Sequence, residues 1–299
     1  MYSTIIIGGG VAGYSAAMYA RRYELDVLLI TDLAGGTITK THLVENYPGF
    51  PSLTGYELAT NIMKHAEIFQ PEIKMGQVVQ VRKEEEVFTV KLKNGTEFQG
   101  KTIIIATGTK HRELNISSEA KFKNKGVSYC ATCDGAFFKN KTVGVVGGSD
   151  SAVKESLLLS QYAAKVYIIY RKAKVRPEPI NKKRMEAENK IEVINNSNVV
   201  EILGPEKVTG VLLDTGKKLS LEGLFIEIGR IPQTSMVQDL GLNLNNKGEI
   251  ITNKYAQTNI KGVFAAGDVS SSDWKQAIVS ASEGAHAANS AFNYLQEVG

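Results

Sequence analysis

Two cysteines carry all of the thiol chemistry that this chain can perform. Cys130 and Cys133 are the only cysteines in 299 residues, and Asp134 directly follows the second. The C-x-x-C spacing is typical of a redox-active pair that alternates between a disulfide and two thiols. Each thiol–disulfide step also moves protons, and Asp134 could supply or accept them. The spacing therefore predicts a redox centre with Cys130 and Cys133 as its thiols and Asp134 as its acid–base group.

Two other roles for the cysteine pair are less consistent with the sequence. A zinc site usually needs four ligands, and the chain offers no third cysteine and only four dispersed histidines, His42, His65, His111 and His286. A structural disulfide at this spacing would close a very small loop, so it would contribute little stabilisation through chain entropy. Redox catalysis is the favoured interpretation, and we predict no metal site.

The N-terminal segment has the pattern of a dinucleotide-binding fold. A predicted strand at 4–7 leads into the first glycine loop, Gly8-Gly9-Gly10-Val11-Ala12-Gly13, and a helix and a second strand follow. In G-x-G-x-x-G the first glycine allows a tight turn, the second lets the backbone approach a pyrophosphate, and the third lets the helix pack on the strand. Asp32 follows Gly13 by 19 residues, where an acid accepts hydrogen bonds from a ribose.

The second half of the chain repeats this pattern. A shift of 139 positions places residues 142–146 on the first strand, the second glycine loop Gly147-Gly148-Ser149-Asp150-Ser151-Ala152 on the first loop, and residues 166–170 on the second strand. The sequence therefore predicts an α/β protein with two Rossmann-like dinucleotide-binding folds. The repeat departs from the motif at Ser149, whose side chain crowds the position where a pyrophosphate would approach the backbone.

The repeat also indicates which nucleotide the second fold binds. Arg171 takes the position of Asp32, and Lys172, Lys174 and Arg176 follow it. Basic side chains suit a 2′-phosphate rather than a 2′-hydroxyl, so we expect NADPH rather than NADH. A solvated basic surface is the alternative interpretation of these residues.

Charge and hydropathy exclude several other classes of protein. A net charge of +4 is too small to indicate nucleic-acid binding. The sequence has no apolar run near the ~18 residues that a membrane-spanning helix needs. The first predicted strand begins almost at Met1, which leaves no room for a signal peptide. We therefore expect a cytoplasmic protein without a membrane or nucleic-acid partner.

Four motifs together resemble the low-molecular-weight thioredoxin reductases. They are the first glycine loop, Glu45-Asn46-Tyr47-Pro48-Gly49, Cys130-Ala131-Thr132-Cys133-Asp134-Gly135 and Ala266-Gly267-Asp268-Val269, in this order. The resemblance implies a homodimeric flavoenzyme of the pyridine nucleotide-disulfide oxidoreductase family, with two domains of the three-layer ββα type. It implies an FAD domain made of residues 1–112 and 246–299. The NADPH domain, residues 115–243, would be inserted in it and would carry the C-x-x-C.

The resemblance implies the activity of a thioredoxin-disulfide reductase. Electrons would pass from NADPH through FAD and the dithiol to thioredoxin or a thioredoxin/glutaredoxin-like protein. Cys133 would accept electrons from the flavin, Cys130 would attack the disulfide of the substrate, and Asp134 would transfer protons. Two alternatives stay open. The same flavin–dithiol enzyme could use another donor, such as reduced ferredoxin, or the chain could be a non-catalytic flavin redox sensor.

The loops and the resemblance together assign residues to the two cofactors. The expected FAD-binding residues are Gly8, Gly10, Val11, Ala12, Gly13, Asp32, Gly36, Thr37, Asn46, Ala106, Thr107, Gly108, Gly267, Asp268, Lys275, Gln276 and Ala277. The expected NADPH-binding residues are Gly147, Ser149, Asp150, Ser151, Arg171, Lys172, Arg176, Gly229 and Arg230. Besides Ser149, the chain departs from the family's motifs at Thr37, where glutamine is usual, and at Tyr170, where histidine is usual. It also departs at Lys172 and Lys275, where arginine is usual.

Overall fold

The computed structural model describes residues 1–298, which separate into two compact units. The outer unit consists of Met1–Lys110 and the chain from Ile231 onward, and the inserted unit is His111–Arg230. The chain returns from the inserted unit to the outer unit between Arg230 and Ile231. The reason is that Val237 and Leu240, on a 3₁₀ helix at Ser235–Leu240, are buried in a hydrophobic core of the outer unit.

The elements alternate between strands and helices through most of the chain. The outer unit begins with β1 (Tyr2–Ile7), α1 (Val11–Arg22), β2 (Val27–Thr31), α2 (Gly55–Glu67), β3 (Glu72–Met75), β4 (Val78–Glu84), β5 (Val87–Leu92), β6 (Glu97–Ile105) and β7 (Thr109–His111). The inserted unit contains α3 (Glu119–Phe122), β8 (Val127–Ser128), α4 (Ala131–Asp134), β9 (Thr142–Val146), α5 (Asp150–Ser160), β10 (Lys165–Tyr170), α6 (Pro179–Ala187), β11 (Ile191–Asn195), β12 (Val199–Leu203), β13 (Gly210–Leu213), β14 (Lys218–Ser220) and β15 (Gly223–Ile226). The chain returns through β16 (Arg230–Pro232), β17 (Val263–Ala265) and α7 (Ala277–Val298).

The outer unit is built around a parallel sheet that is buried on both faces. Its strand order is β3-β2-β1-β6, with β17 also on β6, while β5 and β4 continue from β6 as antiparallel strands. Side chains alternate between the faces. Ile6 lies in a core shared with residues of α1 and α7, whereas Ile5 and Ile7 lie in a core shared with β4 and β5. The uninterrupted apolar run of β1 is typical of a strand that is covered on both sides.

The inserted unit repeats this plan. Its parallel sheet has the order β11-β10-β9-β15-β8, and a separate antiparallel sheet has the order β12-β13-β14. Strands β9 and β10 take the places of β1 and β2, each pair being parallel and separated by one helix. The predicted fold class, two dinucleotide-binding folds of which one is inserted in the other, is therefore confirmed.

The two crossings between the units pair as a short ribbon of β7 and β16. Among residues 1–298, no helix has both the length and the apolar character that a membrane span requires.

Candidate redox centre and nucleotide-binding loops

Cys130 and Cys133 are joined by a disulfide, with their Cα atoms 5.4 Å apart. Cys130 is the N-cap residue of α4, and the Cys133 N–H donates to the Cys130 sulfur over 3.2 Å. Cys130 is half-buried and Cys133 is exposed. A backbone donor aimed at a sulfur favours the charged thiolate, which is the reactive form of cysteine. The pair is thus an accessible disulfide whose reduced form would include a stabilised thiolate.

Ser128, which the sequence patterns did not single out, joins the predicted acid–base group to the disulfide. Its buried hydroxyl donates to Asp134 Oδ2 over 2.6 Å and accepts a hydrogen bond from the Cys130 N–H over 3.1 Å. The Asp134 N–H donates to the Cys130 carbonyl over 3.1 Å. The structure therefore brings all three predicted catalytic residues together.

Tyr129 holds the chain segment that precedes the disulfide. Its hydroxyl donates to Glu119 Oε1 over 2.6 Å, and the buried Glu119 carboxylate also accepts the N–H groups of Leu114 and Asn115. Burial, together with the hydrogen bond to Glu119, raises the pKa of the Tyr129 phenol. These contacts fix the backbone on the N-terminal side of Cys130.

The carboxyl group of Glu155 lies beside the disulfide segment and that of Glu227 lies beside Glu155, and the sequence patterns did not indicate either of them. The Ala131 N–H points to Glu155 Oε1 of α5 at 3.4 Å. Glu227, which follows β15 and is only 5% exposed, lies next to Glu155, and His111 Nδ1 is 3.4 Å from Glu227 Oε1. Burial and the neighbouring charge of Glu227 raise the pKa of Glu155 to about 8, and burial raises the pKa of Glu227.

An added side chain would have different consequences at the three motif glycines of the first loop. Gly8 has φ +112°, and a Cβ there would lie 2.2 Å from the Ala106 carbonyl oxygen. A Cβ on Gly13 would lie 1.8 Å from the Gly8 carbonyl oxygen. A Cβ on Gly10, in contrast, would meet no atom closer than the Gly36 Cα at 3.9 Å. Gly8 and Gly13 are therefore required by the fold itself, whereas Gly10 keeps a space open beside the first turn of α1.

Other residues assigned to FAD are brought together from distant parts of the outer unit. Gly36 (φ +68°) approaches Gly10, and Asn46 Nδ2 donates to Gln276 Oε1 over 3.0 Å. Lys275 Nζ lies 3.3 Å from Glu249 Oε1 and donates to the Ser270 carbonyl.

The remaining residues assigned to FAD lie at strand ends and at the starts of helical turns. The Gly267 N–H donates to Glu283 Oε2 over 2.7 Å, and Glu283 is a further residue that the patterns missed. Thr107 donates through its hydroxyl to the Gln233 carbonyl over 2.7 Å. Val11 and Ala12 begin α1, Asp32 is exposed just after β2, Thr37 begins a 3₁₀ turn, Ala106 and Gly108 follow β6, Asp268 lies in the turn after β17, and Ala277 begins α7.

The second glycine loop makes the same turn as the first but has a different residue at the second glycine position of the motif. Gly147 has φ +150°, and a Cβ there would lie 2.2 Å from the Glu227 carbonyl oxygen. A Cβ on Gly148 would lie 2.4 Å from the Tyr170 ring, so this glycine accommodates the residue that replaces the usual histidine. Ser149 is exposed and is the N-cap residue of α5, but its side chain makes no capping hydrogen bond.

Asp150 has a role in the structure that its motif position did not suggest. Its Oδ1 accepts hydrogen bonds from the Glu178 N–H and the Asn181 side chain, both over 2.8 Å. The Arg176 N–H donates to the Gly148 carbonyl over 2.7 Å. These bonds tie the basic segment 171–178 to the glycine loop. The side chains of the other assigned residues are exposed at Ser151, Arg171, Lys172 and Arg176 and half-buried at Arg230, and Gly229 (φ +104°) faces open space.

Comparison with known proteins decides the family. The sequence profile described as pyridine nucleotide-disulphide oxidoreductase matches residues 2–284. The chain belongs to this family. It is 40% identical to the thioredoxin reductase of Listeria monocytogenes over 305 aligned positions, which cover 100% of this chain and 95% of that protein.

Solved structures of thioredoxin reductases agree with this assignment. The thioredoxin reductase of Lactococcus lactis has a TM-score of 0.96 and 38% identity, covering 99% of this chain and 100% of that one. The thioredoxin reductase of T. acidophilum has a TM-score of 0.93 and 36% identity, covering 100% and 99%. The predicted family, the enzyme class of FAD-dependent disulfide oxidoreductase and the predicted cofactors FAD and NADPH are confirmed.

The residues present fit both cofactors of a pyridine nucleotide-disulphide oxidoreductase. At the first loop, the open space at Gly10 lies beside the N-terminus of α1, where no side chain caps the helix. Free N–H groups at a helix N-terminus bind phosphate oxygens. At the second loop, α5 likewise lacks a side-chain cap, and exposed basic residues follow β10. The individual cofactor contacts stay predictions.

Proposed function

We propose that this chain is a thioredoxin-disulfide reductase, with NADPH as donor and a thioredoxin or a thioredoxin/glutaredoxin-like protein as acceptor. One observation carries the proposal: the Cys130–Cys133 disulfide is accessible and is joined to Asp134 through Ser128. This arrangement supplies a nucleophile, a resolving thiol and a proton carrier at one place. Full-length similarity to thioredoxin reductases favours this function over the two alternatives of another donor and a redox sensor.

When bound, FAD supplies the two electrons that NADPH delivers as a hydride. Residues of the first loop would hold its pyrophosphate through the α1 N–H groups, and residues of the second loop would hold NADPH, with Arg171, Lys172 and Arg176 on the 2′-phosphate. Cys133 receives the electrons, and the reduced pair then acts as a dithiol.

The dithiol reduces its substrate by thiol–disulfide exchange. The Cys130 thiolate attacks one sulfur of the thioredoxin disulfide, which breaks that S–S bond and forms a mixed disulfide. Cys133 then attacks the Cys130 sulfur, re-forms the Cys130–Cys133 disulfide and releases the thioredoxin sulfur that was bound to Cys130 in the mixed disulfide. Two electrons leave the cysteine pair, and the two thiol protons pass to thioredoxin by way of Asp134, which Ser128 holds beside Cys130.

Exposed or half-buried apolar side chains support two proposals, a protein substrate and a homodimer. Phe137, four residues beyond Cys133, is 73% exposed and offers an apolar contact to a protein substrate.

The first residues of α7, at 277–281, are only half-buried although they include Ile278 and Val279, which supports a homodimer. Light scattering of the purified protein tests the dimer, and a monomer across the micromolar range would contradict it. We also propose a cytoplasmic location, which fractionation of the source cells tests.

Substitution of the attacking cysteine tests the proposed function. We expect Cys130→Ser to keep NADPH-dependent loss of the oxidised-flavin absorbance, because that step does not need the attacking thiol. The variant should lose thioredoxin reduction by more than about 10³-fold, since the remaining cysteine cannot form the intramolecular disulfide. Thr132→Ser, an exposed position between the cysteines, is the matched control and should keep turnover. Undiminished turnover in Cys130→Ser would contradict the assignment.

A further inference from the structure

The carboxyl group of the half-buried Glu155 contacts the redox centre, and that of the buried Glu227 lies next to it; neither has a part in the reaction described above. Glu155 Oε1 accepts the N–H of Ala131, the residue bonded to Cys130. Glu227 is 95% buried and lies within hydrogen-bonding reach of Glu155. All of these groups belong to the inserted unit.

The hydrogen bonding of the pair requires one proton. Glu155 Oε2 is buried, and no N–H or O–H donor among residues 1–298 reaches it. Two carboxylates cannot hydrogen-bond to each other, whereas a carboxylic acid donates to a carboxylate. A proton on Glu155 Oε2 would satisfy this atom by donation to Glu227, and Oε1 would still accept from Ala131.

The surrounding charges favour the proton on Glu155 rather than on Glu227. His111 Nδ1 lies against Glu227 Oε1, and the charge of Arg230 favours the ionised form of Glu227. At Glu155 the effects of burial and of the charge of Glu227 exceed that of Arg230, so its pKa is raised to about 8. These charges therefore favour Glu155 as the proton donor of the pair and Glu227 as the acceptor.

We propose that Glu155 is a positioning residue of the redox centre. As a neutral acid that donates its proton in a hydrogen bond to Glu227, it binds the backbone after Cys130 without placing a negative charge beside the dithiol. Ionisation of Glu155 at alkaline pH then disfavours the thiolate-bearing reduced form relative to the uncharged disulfide. The ratio of disulfide to dithiol at fixed glutathione potential should rise when Glu155 loses its proton.

The test is a redox equilibrium of the FAD-loaded full chain with glutathione between pH 6.5 and 9.5. Two glutathione thiols reduce the Cys130–Cys133 disulfide: one S–S bond breaks in the protein, one forms in oxidised glutathione, and two electrons and two protons pass to the cysteines. Alkylation followed by mass spectrometry counts the reduced cysteines. We compare wild type with Glu155→Gln, an amide that can make both hydrogen bonds at every pH.

We expect the two equilibrium constants to agree within about twofold at pH 6.5–7 and to diverge above pH 8, the wild type favouring the disulfide several-fold more by pH 9.5. Parallel curves over the whole range would overturn the proposal, whether they coincide or are offset. Coincident curves would show that Glu155 does not act on the dithiol, and offset curves would show that its charge does not change.

Two further variants keep the result specific. Glu186→Gln removes an exposed carboxylate that pairs with Lys182 on the same unit, and its curve should follow the wild type. Glu227→Gln removes the neighbouring negative charge, so ionisation of Glu155 and the change in the equilibrium should move to lower pH. If the equilibrium changes at the same pH in Glu227→Gln as in the wild type, the shared proton is contradicted. This variant therefore tests the proposal even if Glu155→Gln does not fold.

The proposal rests on the cysteine pair being redox-active, as the proposed function requires. The glutathione equilibrium uses neither NADPH nor thioredoxin. If the curves diverge but thioredoxin is not reduced, the proposed function fails and this inference stands. If thioredoxin is reduced but the curves stay parallel, the proposed function stands and this inference fails.

Discussion

Single residues decide how well the second loop can bind its nucleotide. Ser149 stands where the motif has a glycine, and its exposed side chain makes no capping hydrogen bond that would explain its presence. Asp150, assigned to NADPH by its position, instead binds the start of α6. The basic residues 171–176 are therefore held against the loop, and Ser149 is the main feature that works against pyrophosphate binding.

We expect Ser149→Gly to improve the use of NADPH. Removal of the hydroxymethyl group lets a pyrophosphate approach the backbone, so KM for NADPH should fall by about threefold or more, which corresponds to about 0.7 kcal/mol. The measurement is the initial rate of flavin reduction against NADPH concentration. Ser149→Ala keeps the Cβ that crowds the loop, so it is the control and should keep the KM of the wild type. Equal kinetics for wild type and Ser149→Gly would show that the serine is harmless.

At the scale of elements, the position of α7 on α1 supports the first loop. A Cβ on Gly284 would lie 2.2 Å from the Ala12 carbonyl oxygen, and a Cβ on Gly267 would lie 3.0 Å from the Ala12 Cβ. Glu283 of the same helix accepts the Gly267 N–H. The early part of α7, which is rich in alanine, serine and glycine, therefore packs on the helix whose N-terminus faces the expected flavin pyrophosphate.

Gly284→Ala should destabilise the protein, although alanine normally favours a helix over glycine. The added Cβ forces α7 away from α1, and such overpacking typically costs about 1–3 kcal/mol. Thermal unfolding and the FAD content of the purified protein measure the effect, and both should fall. Ser282→Ala, at an exposed position of the same helix, should change neither. A gain in stability for Gly284→Ala would show that the two helices tolerate the extra atom.

For the whole molecule, the buried Glu155–Glu227 pair makes stability depend on pH. Glu155 has a pKa of about 8 in the folded protein against an ordinary value of 4.5, because burial disfavours its charged form. Between these two values the folded state binds more protons than the unfolded state. The free energy of unfolding therefore falls as pH rises from about 4.5 to about 8.

Wild type should lose stability relative to Glu155→Gln as pH rises from 5 to 8, because glutamine does not ionise. The expected relative loss is at least about 1 kcal/mol, since a one-unit pKa shift corresponds to about 1.4 kcal/mol. Urea unfolding of the FAD-loaded chain at pH 5, 6.5 and 8 measures it. Glu186→Gln should follow the wild type at each pH. A constant difference between wild type and Glu155→Gln would contradict the buried acid.

The sequence by itself determined the features that depend on short stretches of chain. The dithiol needs two cysteines at a fixed spacing, the glycine loops need small residues at fixed offsets from a strand and a helix, and the repeat of that unit indicates two similar folds. The strand, glycine loop, helix and second strand that begin each unit could be predicted because hydrophobic patterning is also local. The family and the reaction could be inferred from these motifs because the chemistry itself is concentrated in them.

Only the tertiary structure decided which distant residues complete the site. Glu155 reaches the disulfide segment from α5, and Glu227 lies next to Glu155 from the end of β15. Asn46 reaches Gln276 across 230 positions. Ser128 lies two residues before Cys130, yet a serine there has no pattern that predicts its bond to Asp134. The burial of Val237 and Leu240 in a core of the outer unit likewise depends on tertiary packing. Each of these contacts depends on how the strands and helices pack, and no local spacing records that packing.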